Sequence, residues 1–198
     1  AVFAGVSVLS CRGLDSVSLV DCEEARACQS GTSAGDGGAD ANVVVPPGCD
    51  LTKSPKDAPS CVDDGVGVFV SPTGSDGAAG TKSAPVKSVG KGVELAGSKG
   101  LPRVYVCEGT YDANVEIKSG VSVYGGLSCA WAYTGAKPKV APPKGVALKV
   151  TKVTGAVVLE DLEVVGSADA SVPGDSAIAV FVSESTSVTL RSSKIRAG

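Results

Sequence analysis

The sequence predicts an all-β chain wound as a parallel β-solenoid, with a short helix capping its first coil. Three observations carry this expectation. Apolar residues alternate with period two in many short runs separated by Gly, Ser, Thr and Asp turns. Shifting the chain by 31 residues lays Val157 on Val188, Leu159 on Leu190 and Val164 on Ile195. Ahead of these repeats, Gly67 to Gly97 reads as a strand, a long loop and an amphipathic helix.

The composition agrees with many short strands. Aromatic residues are only 4% of the 198 residues, while Gly numbers 26 and Pro 11. That suits frequent turns better than a globule built on aromatic anchors. A net charge of −3 with no basic block gives nucleic-acid binding no electrostatic basis. No apolar run reaches the roughly 18 residues of a membrane-spanning helix. The chain has no His, which excludes a Ser-His-Asp triad, a Cys-His dyad and His-ligated zinc or haem iron. It also has no Met, so a processed or partial chain is expected.

Residues 1–10 have two readings. "AVFAGVSVLSC" resembles the end of a bacterial lipoprotein signal, with Val8-Leu9-Ser10 before Cys11. That resemblance implies a lipid on Cys11. The other reading is an ordinary buried strand. Residues 11–64 read as a cysteine-containing tether, because "QSGTSAGDGGADANVVVPPG" cannot bury enough apolar surface to fold alone. Cys49 to Cys61 would form a stapled knot at its end; the alternative is a loop-rich cap lying on the main domain. With Cys11 set aside, six cysteines remain. Pairing sequence neighbours gives Cys22–Cys28, Cys49–Cys61 and Cys107–Cys129, the simplest of about fifteen connectivities. No C-x-x-C spacing favours zinc. Disulfides would place the chain in an oxidising, exported location.

Residues 65–198 carry the repeating body. "VGVFV" puts Val66, Val68 and Val70 on one face. Strands are then expected over 103–106, 114–117, 121–126, 146–150, 156–166, 177–182 and 187–198. At the shift of 31, Glu160 also falls on Arg191 and Glu163 on Lys194. Stacked about 4.8 Å apart, these become opposite-charge neighbours on the outside. Leu148-Lys149-Val150 matches Ile178-Ala179-Val180 at a shift of 30. A coil of this length with several short strands is a β-solenoid signature, and a β-sandwich would not align core and charge positions at one shift. Val86, Val89, Val93 and Ala96 form one face of the capping helix, which is expected to end at Gly97. A cap is needed because an uncovered first coil would pair with other chains.

The segment "VFVSPTGSDGAAGTKSAPVKSVGKGVELA" resembles the leading segment of bacterial right-handed parallel β-helix proteins of the pectin-lyase-like superfamily. Ser71, Pro72, Gly74, Asp76, Gly80, Thr81, Pro85 and Ser88 carry the likeness, with Gly109-Thr110-Tyr111 and Gly125-Gly126 further on. Cys107 and Cys129-x-Trp131-x-Tyr133 resemble a cysteine-bearing variant in large exported proteins of myxobacteria-like organisms. The resemblance implies a right-handed parallel β-helix over 65–198. The sequence ends at "KIRAG", just after a complete repeat and with no C-terminal cap, so the helix is expected to continue or be capped beyond 198. Left open, that end would self-associate.

The superfamily includes polysaccharide lyases and hydrolases alongside adhesins and structural shafts, so fold alone does not assign chemistry. A lyase would need converging carboxylates for Ca²⁺ with a Lys or Arg base. The available residues are Glu160, Asp161, Glu163, Asp169 and Asp175, with Lys194 and Arg196 one coil on. The favoured reading of this set is a charge ladder on a solvated face. A hydrolase would need paired Asp carboxylates, and no Asp pair repeats in register. Trp131, Tyr133 and Tyr111 either stack on a sugar or pack around the Cys107–Cys129 staple. Asp76 either binds a metal or makes an Asx-turn. Trp131, Tyr133, Asp161 and Glu163 are the candidate ligand contacts. No catalytic residue is assigned, and Ca²⁺ is the one cofactor considered. The function expected is an exported, surface-tethered binding or scaffold module directed at polysaccharide or other cell-surface components. Membrane contact would be only through the N-terminal lipid. The alternative is the N-terminal part of a polysaccharide lyase or hydrolase with catalytic coils downstream.

Overall fold

In a computed structural model, which describes residues 43–169 and 171–197, three parallel sheets form the sides of a β-helix. The elements run β1 (Gly67–Val70), α1 (Val89–Lys99), β2 (Arg103–Cys107), β3 (Thr110–Tyr111), β4 (Val115–Ile117), β5 (Ser122–Leu127), β6 (Lys139–Val140) and β7 (Leu148–Thr151). Then come β8 (Ala156–Glu160), β9 (Glu163–Gly166), β10 (Val180–Ser183), β11 (Ser187–Arg191) and β12 (Lys194–Ala197). The first sheet is ordered β1-β2-β5-β8-β11, the second β3-β6-β9-β12 and the third β4-β7-β10. The chain visits them in that rotation once per coil.

Period-two alternation decides what faces inward. Val68, Val104, Val123 and Leu159 from the first sheet, Tyr111, Val140 and Val164 from the second, and Ile117 and Val150 from the third form one continuous core. They line up as columns because the registers pair like with like: Val104 with Val123, Val123 with Leu159, Val140 with Val164, and Ile117 with Val150. The coincidences at a shift of 31 are strand registers, with Val157 on Val188, Leu159 on Leu190 and Val164 on Ile195.

The structure differs from expectation at several places, among them the run 187–198, which is two strands, β11 and β12. Leu148 pairs with Val180, a shift of 32 rather than 30. A two-residue displacement keeps the same face inward, so hydrophobic pattern alone does not separate the two. Val66 does not join Val68 and Val70 inside; it follows a turn and packs in a second cluster outside the first sheet. The run Ala156–Gly166 is two strands broken at a corner, where Asp161 takes φ 54°. The two-residue strands β3 and β6 are too short to show a period.

The capping helix covers β1, β2 and β4. Ser88 caps its N-terminus by accepting from the Lys91 N–H, and Asp76 Oδ1 accepts from the Lys87 and Ser88 N–H groups at 3.0 and 2.7 Å. Burial raises the Asp76 pKa, but those hydrogen bonds outweigh it and hold the carboxyl below its ordinary value. The helix runs past Gly97 to Lys99, because left-handed Gly100 supplies the C-terminal cap. Val86 lies ahead of the helix, bridged to Val70.

Residues 49–64, expected within the tether, pack on the outer face of the first sheet. Cys49 is bonded to Cys61 and Cys107 to Cys129. Cys61 and Val62 are buried, and the Tyr105 hydroxyl donates to the Cys61 carbonyl. Cys11, Cys22 and Cys28 lie outside the described residues, as does the stretch 1–10. At the far end, Leu190, Val182 and Ile195 continue the inward columns but are 39%, 43% and 50% exposed, with no strand stacked on β10, β11 or β12 among the described residues.

Gly90 and Gly92 separate propensity from packing. A Cβ on Gly92 would lie 2.5 Å from Val70 Cγ2 and 3.2 Å from Val104 Cγ1, whereas one on Gly90 meets only the Asn114 carbonyl at 3.4 Å. Gly90→Ala should therefore stabilise by a few tenths to about 1 kcal/mol through helix propensity. Gly92→Ala should destabilise by about 1–3 kcal/mol through overpacking. Urea unfolding of both variants checks this; equal gains from both would contradict the helix packing.

Candidate functional site

The corner after β8 gathers the strongest cluster of polar side chains. Asp161 is buried, and its two carboxylate oxygens are both engaged: the Tyr133 hydroxyl donates to Oδ2 at 2.9 Å and Lys137 Nζ to Oδ1 at 2.7 Å. Tyr133 and Lys137 come from the 128–138 loop between β5 and β6, so Asp161 clamps that loop to the coil. Gly125-Gly126 makes room for the clamp. A Cβ on Gly126, at φ 75°, would lie 2.6 Å from the Tyr133 ring and 2.9 Å from Asp161 Oδ2. The register slips at this point, with Tyr105 opposite Tyr124 but Cys107 opposite Leu127.

Beside the clamp, Glu160 is 8% exposed and its Oε2 has no hydrogen-bond partner. The solvated ladder expected here is thus corrected at Glu160 and Asp161. The registers place Glu160 with Arg191 and Glu163 with Lys194, but the outer face at Glu160 and Asp161 is covered. Glu163 lies on the second sheet and pairs with Arg196 at 3.4 Å rather than with Lys194. Asp169 is in the loop after β9, held by Ser171 and by Lys144 at 3.3 Å, and Asp175 accepts from the Asp169 N–H. The hydrogen bonds from Ser171 come first in holding the Asp169 carboxyl below its ordinary value. The acids proposed as a Ca²⁺ set are therefore dispersed. No three of His, Cys, Asp and Glu form a metal-holding group among the described residues.

The aromatic candidates divide. Trp131 stacks edge-on against Phe69 at 4.7 Å and donates its Nε1–H to the Lys82 carbonyl. Tyr111 is buried beside the Cys107–Cys129 staple, donating to the Cys107 carbonyl. Of the four candidate ligand contacts, the structure joins Tyr133 and Asp161. It leaves Trp131 and Glu163 apart from them.

The third sheet presents a different surface, which the sequence reading did not single out. Outward Glu116, Lys149 and Phe181 stand in one register column. Lys118 pairs with Glu116 at 2.8 Å and Lys149 with Glu116 at 4.0 Å, while Phe181 is 41% exposed. Together with Thr151 and Ser183 they line a shallow cleft of about 310 Å³. The sequence signal was a large apolar residue, Phe181, at an outward position of an alternating strand.

Parallel sheets stacked in coils define a parallel β-helix protein, and the two disulfides among the described residues point to an extracytoplasmic one. Residues 72–193, more than half of the chain, match DUF1565, described as a protein of unknown function, and the chain belongs to this family. That family is associated with parallel β-helix proteins. No curated protein and no solved structure matches the chain. No described helix is long and apolar enough to cross a membrane.

Burial pushes the phenols of Tyr105 and Tyr133 up to about 12, with the Asp161 hydrogen bond adding to the shift at Tyr133, and it pushes Tyr111 up as well. The folded chain therefore holds these protons more tightly than the unfolded chain. Their contribution to stability is complete below about pH 10 and falls as pH rises from about 10 towards 12. Urea midpoints should decline across that window, and less steeply in Asp161→Asn. A flat profile, or an unchanged slope in Asp161→Asn, would contradict the arrangement.

Proposed function

We propose that this chain is an exported, surface-tethered β-helix module that binds polysaccharide through the outer face of its third sheet. The supporting observation is the Glu116–Lys149–Phe181 column. It sets an exposed aromatic face beside paired hydrogen-bonding charges on a rigid sheet. An aromatic ring offers a sugar a flat apolar platform, and flanking polar groups fix its orientation. The likeness to pectin-lyase-like β-helices is consistent with such a ligand. Cys11 would carry the lipid that tethers the module.

Pull-down on a panel of neutral and acidic polysaccharides tests the binding reading. At least one should retain the protein, and Phe181→Ala should weaken retention about tenfold, the loss of one stacking contact of about 1.4 kcal/mol. Failure to bind any member, or full retention by Phe181→Ala, would overturn the reading. The intact mass from the native source reports the lipid on Cys11 separately.

A further inference from the structure

We propose that a cleft on the outer face of the first sheet is a binding site for a compact oxyanion, a carboxylate or phosphate group, held by Arg103 and Arg191. The proposal does not rest on polysaccharide binding at the third sheet. The cleft measures about 290 Å³ and lies where the docked segment at Leu51 and Thr52 meets β2, β5, β8 and β11. Ser122, Tyr124 and both arginines complete its polar lining, and no acidic residue lines it.

Arg103 carries the argument. It is 2% exposed, so its charge is removed from water. Its Nη2 donates to the Leu51 and Lys53 carbonyls at 2.7 and 2.8 Å. The guanidinium lies 4.8 Å over the Tyr124 ring. Stacking on a ring face leaves the in-plane N–H groups free to donate; those of Nη2 are used, and Nη1 has no partner. Buried charges are ordinarily paired, because an uncompensated one is costly. Two carbonyls and a ring face supply no formal negative charge. A planar or tetrahedral oxyanion would supply it and accept from the guanidinium edge.

Arg191 adds the second charge. It is exposed at the end of β11 and makes no ion pair among the described residues. Glu160 stands in register with Arg191, yet no ion pair joins them. The cleft is thus lined by one buried and one exposed guanidinium, neither of them in an ion pair among the described residues, while Glu160 lies outside its lining. The Ser122 hydroxyl accepts from the Val158 N–H at 3.0 Å, which leaves its own proton for an anion. The cleft volume is at the small end for ligand sites and fits one anionic group with a small carrier rather than an extended chain.

Calorimetric titration of the folded protein with sodium phosphate and, separately, with D-glucuronate tests the site. Saturable binding of either probe is expected, weakened at least tenfold in Arg191→Gln and unchanged in Lys53→Gln, whose side chain lies outside the cleft. Arg191 is exposed, so its variant should keep the wild-type unfolding midpoint. Tighter phosphate binding would identify a free inorganic anion as the ligand chemistry, and tighter glucuronate binding a carboxylated sugar. Absence of saturable binding to both probes, or equal binding by wild type and Arg191→Gln, would overturn the proposal. Loss of anion binding with polysaccharide retention intact would separate this site from the third-sheet face.

Discussion

Every coil must place its branched side chains directly over those of the coil beneath. Strands about 4.8 Å apart leave no room for interdigitation along the solenoid axis, so like-shaped residues have to stack in columns. Val104–Val123–Leu159 and Ile117–Val150 are such columns. Turns can then vary freely while the registers stay fixed. The long loop at 128–138, for example, connects strands that remain in step. Where a corner must turn sharply, the backbone enters the left-handed region at the same place in successive coils, at Asp161 and then at Ser192.

In the first sheet β1, β2 and β5 are buried on both faces, and this sets it apart from the other two. Inside lies the valine core; outside lie Phe69, Tyr105, Tyr124 and Leu127 with Val62 and Val66. Apolar packing attaches the docked segment, while Arg103 and Tyr105 satisfy three of its carbonyls and so fix its position. The Cys49–Cys61 bond restricts the same segment before it docks. One consequence is a sharp contrast between sheets. Arg103 and Glu160 of the first sheet are enclosed and poorly compensated, whereas the charged residues of the third form solvent-facing pairs.

The solenoid was legible in the sequence because core and charge positions repeat together, at 157, 159 and 164 and at 160 and 163. The helix was legible from its 3-4-3 apolar spacing, although its end was not. Gly97 reads as a stop, but the left-handed residue is Gly100. The covering of the first sheet was hidden. Its signal was present in Arg103-Val104-Tyr105-Val106-Cys107, where both alternating sets contain residues that prefer burial, the mark of a strand covered on two sides. Read alone, Arg103 looks like a solvent-facing charge. Glu160 and Asp161 misled in the same way, because an alternating charge pattern does not reveal what packs outside it. Tyr133 and Asp161 were named as ligand contacts, and their pairing depends on a loop whose path the sequence does not encode in any periodic form.

The in-register stacking of coils is the claim on which the rest depends. Cross-linking tests it most directly. Cysteines introduced at Glu116 and Lys149, which are register partners on the outer face of the third sheet, should form a disulfide readily under mild oxidation. Their Cα atoms would lie at a strand spacing of about 4.8 Å, within disulfide reach. The off-register pair Glu116→Cys with Thr151→Cys should not. Efficient bonding of the off-register pair with none in the register pair would contradict the coil arrangement.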